Sequence, residues 1–252
     1  MLRSLVGSEM CIRDRYNMDI FITEKPSVAM TYAKALKVKG TKNDGYLEGY
    51  SPVLGKDIQI TWAVGHLITL GNVDEQREGK KITDKDFKPA RWSKDTLPII
   101  PQSYVYKENS TTYKQFNVVK KLYKAKDVDT IYYAGDSGRE GIYIQALIRN
   151  QIFNKKFDDL TTPSNVKNEK VVWIDSQTDE TIINGIKTAK PYSAYKDMIA
   201  SGYKRAIADW LIGMNFTQVF TLTSGGLIVV GRVMTPTLAM IVKRQKEIDE
   251  FV

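Results

Sequence analysis

Thr130-Ile131-Tyr132-Tyr133-Ala134-Gly135-Asp136-Ser137-Gly138-Arg139-Glu140-Gly141 runs from an apolar stretch into a polar turn, and Ile142–Phe153 follows with apolar residues at helical spacing. The first five residues are mostly β-branched or aromatic and read as a buried strand. The periodicity after Gly141 reads as a helix. The same order occurs near the start. Asp19–Thr23 (DIFIT) is a strand, Glu24-Lys25-Pro26-Ser27 is a turn, and an amphipathic stretch continues to about Leu36. Pro26 suits the first turn of a helix, where a missing N–H costs nothing. Val171–Ile174 reads as a third strand. Strands alternating with helices predict an α/β sheet with parallel members. The acids Glu24, Asp136 and Glu140 then stand beyond the carboxyl ends of two strands, where open α/β sheets hold ligands.

Between these units, Tyr46–Tyr50 and Asp57–Val64 read as strands joined by a loop with Pro52 and Gly55. Gly65-His66-Leu67 ends the second of them. Residues 74–96 are charged and irregular. Leu97-Pro98-Ile99-Ile100-Pro101 is extended, because each proline restrains itself and its predecessor. Thr112–Tyr123 has helical spacing, and residues 158–170 read as a polar surface loop. From Ser176 the pattern becomes helical. Ser176 and Asp179 have the spacing of a capping box, and a long helix covers about Tyr192–Phe220. Leu227–Val230 reads as a short strand. Thr235 caps a last helix with Pro236 at its first position. A domain boundary falls near 175. The last helix reaches Val252 without a stop signal, so the chain reads as cut.

The 252 residues carry a net charge of +8 and are 42% hydrophobic, enough to bury a core and to exclude intrinsic disorder. No apolar run is long enough to span a membrane. One His and one Cys exclude a Cys/His zinc site and a disulfide framework. Residues 1–17 stand apart: Gly7–Arg15 (GSEMCIRDR) resembles a translated sequencing-adaptor artefact, and the natural start is expected at Met18. Cys11, the sole cysteine, lies in this leader. Arg3, Arg13 and Arg15 against Glu9 and Asp14 give the leader one net positive charge, so seven of the eight belong to residues 18–252 and fit a polyanionic partner.

Carboxylates from neighbouring strand ends suit Mg²⁺, which takes oxygen ligands and keeps several waters. Lys25 can neutralise a phosphate oxygen as charge develops, and glycines on both sides of the acidic turn allow close backbone approach. By spacing alone, such acids are more often helix caps or solvated strand ends than metal ligands. Neither G-x-x-x-x-G-K-[ST] nor G-x-G-x-x-G occurs, so a nucleotide cofactor is not expected.

Seven segments occur in one order: TEKPSVA (Thr23–Ala29), TWAVGHL (Thr61–Leu67), ARW with LPIIP (Ala90–Pro101), KQFNVVK (Lys114–Lys120), DSGREG (Asp136–Gly141), ADWLIGMN (Ala208–Asn215) and GRVMTPTLAMIVKR (Gly231–Arg244). Together they resemble the N-terminal part of the type IA DNA topoisomerases, bacterial topoisomerase III-like members in particular. The resemblance covers Met18–Val252. It implies a Rossmann-like TOPRIM sheet with flanking helices over 18–175, followed over 176–252 by part of a mainly helical domain that lines a single-stranded DNA groove. It implies that Glu24 and Lys25 act at the scissile phosphate and that Asp136 and Glu140 hold Mg²⁺. The usual D-x-D-x-E motif has Gly138 at its centre here, which removes one ligand. It further implies DNA contacts from Arg205, Asp209, Asn215, Arg232 and Thr235, with His66 and Arg139 near the active site. Gln218 stands where Arg is commoner, and Met234 where Gln is usual, which puts two DNA contacts in doubt. Arg205 and Asp209, four apart, would also form an ordinary surface ion pair. Trp62 and Trp173 are expected in the core, since each lies in an apolar strand pattern. Any of the four tryptophans has the ring to stack a base.

The activity so implied is ATP-independent cutting and rejoining of one DNA strand through a 5′-phosphotyrosyl link. None of the 14 tyrosines matches the nucleophile's motif. The chain is therefore expected to be a bacterial, cytoplasmic, monomeric fragment that binds Mg²⁺ and single-stranded DNA but does not relax DNA. Two other readings stay open: a TOPRIM nuclease or primase-like enzyme, and a non-catalytic DNA-binding module.

Overall fold

A computed structural model describes residues 18–84 and 87–251. The leader, residues 1–17, lies outside the described residues. The chain forms two compact units: residues up to Thr69 with Lys107–Gly202, and Leu70–Tyr106 with Tyr203–Val252. These units divide the chain differently from a single boundary near 175. Residues 176–202 belong with the sheet, and the charged stretch 74–96 belongs with the last helices.

The first unit is built on a seven-stranded sheet in the order β2-β3-β4-β1-β7-β8-β9. Its strands are β1 (Met18–Thr23), β2 (Lys39–Asn43), β3 (Tyr46–Ser51), β4 (Lys56–Trp62), β7 (Val128–Ala134), β8 (Asn168–Val171) and β9 (Lys190–Pro191). β5 (Ile68–Leu70) and β6 (Tyr106–Glu108) form a separate two-stranded sheet. β1 lies at the centre, parallel to β4 and β7, and β7 is parallel to β8. The outer strands β2, β3 and β9 run antiparallel. The expected α/β sheet with parallel members is present, and every residue from Asp19 to Thr23 is buried.

The two-residue period of the strands sorts the core into two faces. On one, Phe21, Ile58, Ile60, Trp62 and Tyr132 pack with Val28, Ala29 and Tyr32 of α1 (Pro26–Ala35) and Ile182 and Ile186 of α5 (Asp179–Lys187). Phe21 and Tyr132, in register across β1 and β7, stack with centroids 4.6 Å apart. On the other face Tyr133 meets Tyr123 of α3 (Tyr113–Tyr123), which stacks in turn on Phe153 of α4 (Arg139–Phe153).

Four local expectations are corrected. The third strand covers Asn168–Val171, not Val171–Ile174. Glu169 in it points inward to Arg149, whose guanidinium donates to both carboxylate oxygens at 2.8 Å and to the carbonyls of Asp159 and Thr161. Helix α5 is capped by Thr178, whose hydroxyl accepts the Thr181 N–H, not by a Ser176–Asp179 box. Leu227–Val230 forms no strand: the N–H groups of Ile228 and Val230 donate to the hydroxyls of Thr221 and Thr217 on α6 (Lys196–Ser224). Finally, α7 (Met234–Asp249) begins before Thr235, whose hydroxyl accepts the Gly231 N–H, and has no side-chain cap at Val233.

In the second unit, α2 (Val73–Glu78) opens on a capping box between Asn72 and Glu75. Gln76, buried, holds Val105 through both its N–H and its carbonyl. None of the residues of α7 is buried. Among the described residues no helix is long and apolar enough to cross a membrane.

Candidate active site

Adjacent parallel strands deliver their following residues side by side. Thr23 of β1 is in register with Ala134 of β7, so Glu24 and the turn from Gly135 emerge together. The Asp136 N–H donates to a Glu24 carboxylate oxygen at 3.4 Å. Partial burial lifts the Glu24 carboxyl above the ordinary carboxylate range, and the neighbouring Asp136 carboxyl adds to the shift, while Lys25 opposes it. Lys25 is exposed and is the N-terminal cap of α1 through its main chain: its carbonyl accepts from Val28 and Ala29, and the Thr23 hydroxyl also donates to it.

The turn itself depends on packing that the sequence did not reveal. A Cβ on Gly141 would lie 2.1 Å from the Asp136 carbonyl oxygen, and one on Gly135 would lie 2.3 Å from the Gln145 amide nitrogen. These glycines therefore serve contacts within the chain, not the close approach of a ligand. Gln145, fully buried in α4, donates to the Ile22 carbonyl and so ties the end of β1 to the helix that follows the turn. The Ser137 hydroxyl accepts the Ile174 N–H at 2.8 Å. A Cβ on Gly138 meets nothing within 4 Å, so the position that carries Gly in place of Asp has room for a side chain.

Glu140 stands in the first turn of α4 and is exposed. Its carboxylate lies 3.6 Å from Nε2 of His66, also exposed, on the loop after β4. That loop is held by Asn109, which donates to the His66 carbonyl, and by Gln115, which donates to the carbonyls of Gly45 and Trp62. Gln115 belongs to the KQFNVVK motif and accounts for it structurally. Arg139 is the first residue of α4 and is exposed. Thus Glu24 meets Asp136, and His66 meets Glu140.

Among the described residues no group of three or more His, Cys, Asp and Glu is placed to hold a metal. Mg²⁺ needs only one or two carboxylates and keeps its waters. Two acids side by side, one with its carboxyl raised by burial and further by the other, are a situation that a cation relieves. Asp136, with Glu24 beside it and Glu140 in the first turn of α4, offers enough carboxylate for Mg²⁺ with waters, though not for a caged ion.

In the second unit Asp209 accepts from Arg232 and lies 3.8 Å from Arg205, so three of the five expected DNA-groove residues form one charged cluster. Asn215 is engaged elsewhere: its amide accepts the Ile99 N–H and donates to the Ile99 and Leu211 carbonyls, clamping the LPIIP segment. Gln218 is fully buried with both amide atoms unpartnered among the described residues, so it is an interior side chain and not a substitute for a phosphate-binding Arg. Trp210 meets Tyr104 edge-on at 6.0 Å. Trp62 is buried as expected, but Trp173 is 37% exposed and stacks on Tyr195 at 5.2 Å. Its strand ends at Val171, which frees it from the core.

Comparison with known proteins places the chain in a family. The family model described as Toprim domain matches residues 19–171, and that described as DNA topoisomerase matches residues 193–252. The chain is similar to DNA topoisomerase 3 of Bacillus anthracis and of Bacillus subtilis (strain 168), each 37% identical over 233 residues, 92% of this chain and 28% of the relative. DNA topoisomerase 3 of Staphylococcus epidermidis is 35% identical over 234 residues, 92% of this chain and 29% of the relative. The chain thus spans less than a third of the length of these relatives. With the sheet order, the acids at adjacent strand ends and a match that covers most of the chain, the protein belongs to the Toprim domain family.

Proposed function

We propose that this chain supplies the Toprim part, and the beginning of the DNA-groove part, of a bacterial type IA DNA topoisomerase that cuts and rejoins one DNA strand in the cytoplasm. The observation that carries the reading is the Glu24–Asp136 pair at the ends of two adjacent parallel strands. Glu24, its carboxyl raised by burial, holds or delivers a proton at the leaving or attacking oxygen of the scissile phosphate. Lys25, exposed beside it, pairs with a phosphate oxygen. Asp136 would hold Mg²⁺, with Glu140 from the next turn as the second assigned ligand, and that ion would supply positive charge at the phosphate. His66, beside Glu140, orients that carboxylate. Arg205, Asp209 and Arg232 border the strand's path, with Thr235 at the base of the last helix. In this reading the Toprim part spans 18–175 and the DNA-groove part 176–252, although residues 176–202 pack with the sheet. The nucleophilic tyrosine of the 5′-phosphotyrosyl link is not among the tyrosines here, and the chain acts as a monomer without a nucleotide cofactor.

Calorimetric titration with Mg²⁺ and plasmid relaxation by residues 1–252 test this together. Expected are Mg²⁺ binding that Asp136→Asn abolishes, salt-dependent binding of single-stranded DNA, and no relaxation of negatively supercoiled plasmid. Mg²⁺-dependent nicking lost in Glu24→Gln overturns the reading in favour of a Toprim nuclease. DNA binding with no Mg²⁺ uptake overturns it in favour of a binding module.

A further inference from the structure

Beside the acidic turn the first unit has a cleft of about 320 Å³. This is at the lower end of the range for small-ligand sites, roughly 300–1,000 Å³. Val28, Tyr32 and Ile174 contribute apolar walls, Trp173 a flat one, and Asp136 and Asp175 stand among the polar lining. No Lys or Arg lines it. Away from Asp136, where the proposed ion would sit, the lining offers a phosphate no basic side chain and sets Asp175 against it. A flat, uncharged ring with polar edges suits both the walls and the rim.

Trp173 is well prepared for such a ring. Trp62, at the end of β4, is buried, whereas Trp173 is exposed by more than a third. Its indole is braced by a near-parallel stack on Tyr195, with an interplanar angle of 26°. The two sides of the cleft are also tied together. The Ser137 hydroxyl on the acidic turn accepts the N–H of Ile174, the residue next to Trp173. A group seated on Trp173 is thus held at a set position from Asp136.

We propose that this cleft takes one unpaired nucleobase of the DNA strand, stacked against Trp173 and adjoining the phosphate at Glu24 and Asp136. The proposal rests on the reading of the acidic pair as a DNA-cleaving site and names the subsite beside it. An exposed aromatic holds any base by its face, so recognition here is of a single strand, with little preference for sequence.

The test is fluorescence anisotropy of a labelled single-stranded oligonucleotide with the 252-residue chain, its Trp173→Ala and Trp173→Phe variants, and oligonucleotides with one abasic position moved along the strand. Trp173→Ala is expected to weaken binding roughly 5- to 150-fold, the range for one base–aromatic stack, and Trp173→Phe to restore most of it. On an oligonucleotide short enough to bind in one register only, one abasic position should weaken the unaltered chain by the same factor and leave Trp173→Ala unchanged. That coincidence is a signature that mere loss of structure would not give. Equal binding by the unaltered chain and Trp173→Ala overturns the base subsite and leaves the proposed function standing. A Trp173→Ala loss that no abasic position reproduces also overturns it. No binding of single-stranded DNA by the unaltered chain overturns both.

Discussion

The sheet-bearing unit and the helical unit use apolar residues in opposite ways. In β1 and β7 nearly every side chain is buried, and in the same unit the buried Arg149 of α4 is paired with Glu169 of β8. In α7 Met234, Leu238, Met240 and Ile241 are all at least 60% exposed. The same residue types thus carry stability in one region and surface in the other. The difference teaches that hydrophobic patterning identifies an element wherever it occurs, but gives its energetic role only where the neighbouring layers belong to the same unit.

The largest break in that contrast should come from Arg149→Ala. It leaves Glu169 charged and buried, and about 3–5 kcal/mol of unfolding free energy should be lost in urea titration. Replacing both partners with apolar residues of similar volume should recover most of it. A loss under 1 kcal/mol for the single variant would mean that the pair is hydrated. Next, Gly141→Ala must displace the Asp136 carbonyl and should cost about 1–3 kcal/mol, whereas Gly138→Ala should stay within about 0.5 kcal/mol. Thermal melts of the two variants check this, and equal effects would refute the assignment of Gly141 as a packing glycine.

A smaller effect concerns pH. Burial raises the Asp19 carboxyl above its ordinary value of 3.8, although Lys56 lies 2.9 Å away and opposes the shift. The folded chain therefore holds this proton more tightly than the unfolded chain. Asp19 accordingly contributes stability at low pH that is lost as pH rises from 3.8 through the folded value. Melting temperatures across that window should fall more steeply with pH in the parent than in Asp19→Asn, and parallel curves would contradict the shift. The smallest effect closes the comparison: Leu238→Ala or Ile241→Ala on α7 should change the stability of this chain by no more than about 0.5 kcal/mol. A change as large as that of Gly141→Ala would show that α7 is buried in solution.

What could be read from sequence follows the same division. β1, β7 and the helices after them were legible because their β-branched, aromatic and helical periods agree with their burial. β2 was not: Lys39–Asn43 is polar, and its pairing depends on Gly40 facing Gly49 so closely that a Cβ on Gly40 would lie 1.9 Å from the Glu48 carbonyl oxygen. β8 was displaced by three residues because its inward residue is a charged one, Glu169, whose partner lies 20 positions away. Of the site, the acids at strand ends were legible from the strand–turn–helix order. Their pairing was not, because it depends on β1 and β7 being neighbours. Gln145 and Ser137, which position the turn, carry no local signal. The clamp of Asn215 on Ile99 was not legible either, because its motif marks a helix face but says nothing of a partner 116 residues earlier.

That clamp gives the helical unit a calendar. Its two stretches, Leu70–Tyr106 and Tyr203–Val252, leave the ribosome with the α3–β9 part of the sheet unit between them. At about 5–20 residues per second, Asn215 is made roughly 6–23 s after Ile99. The LPIIP segment must wait that long in the growing chain for its clamp, while β1 to β4 already have one another. The sheet is thus the early product of synthesis and the helical unit a late one, completed only when the chain returns to a segment it made long before.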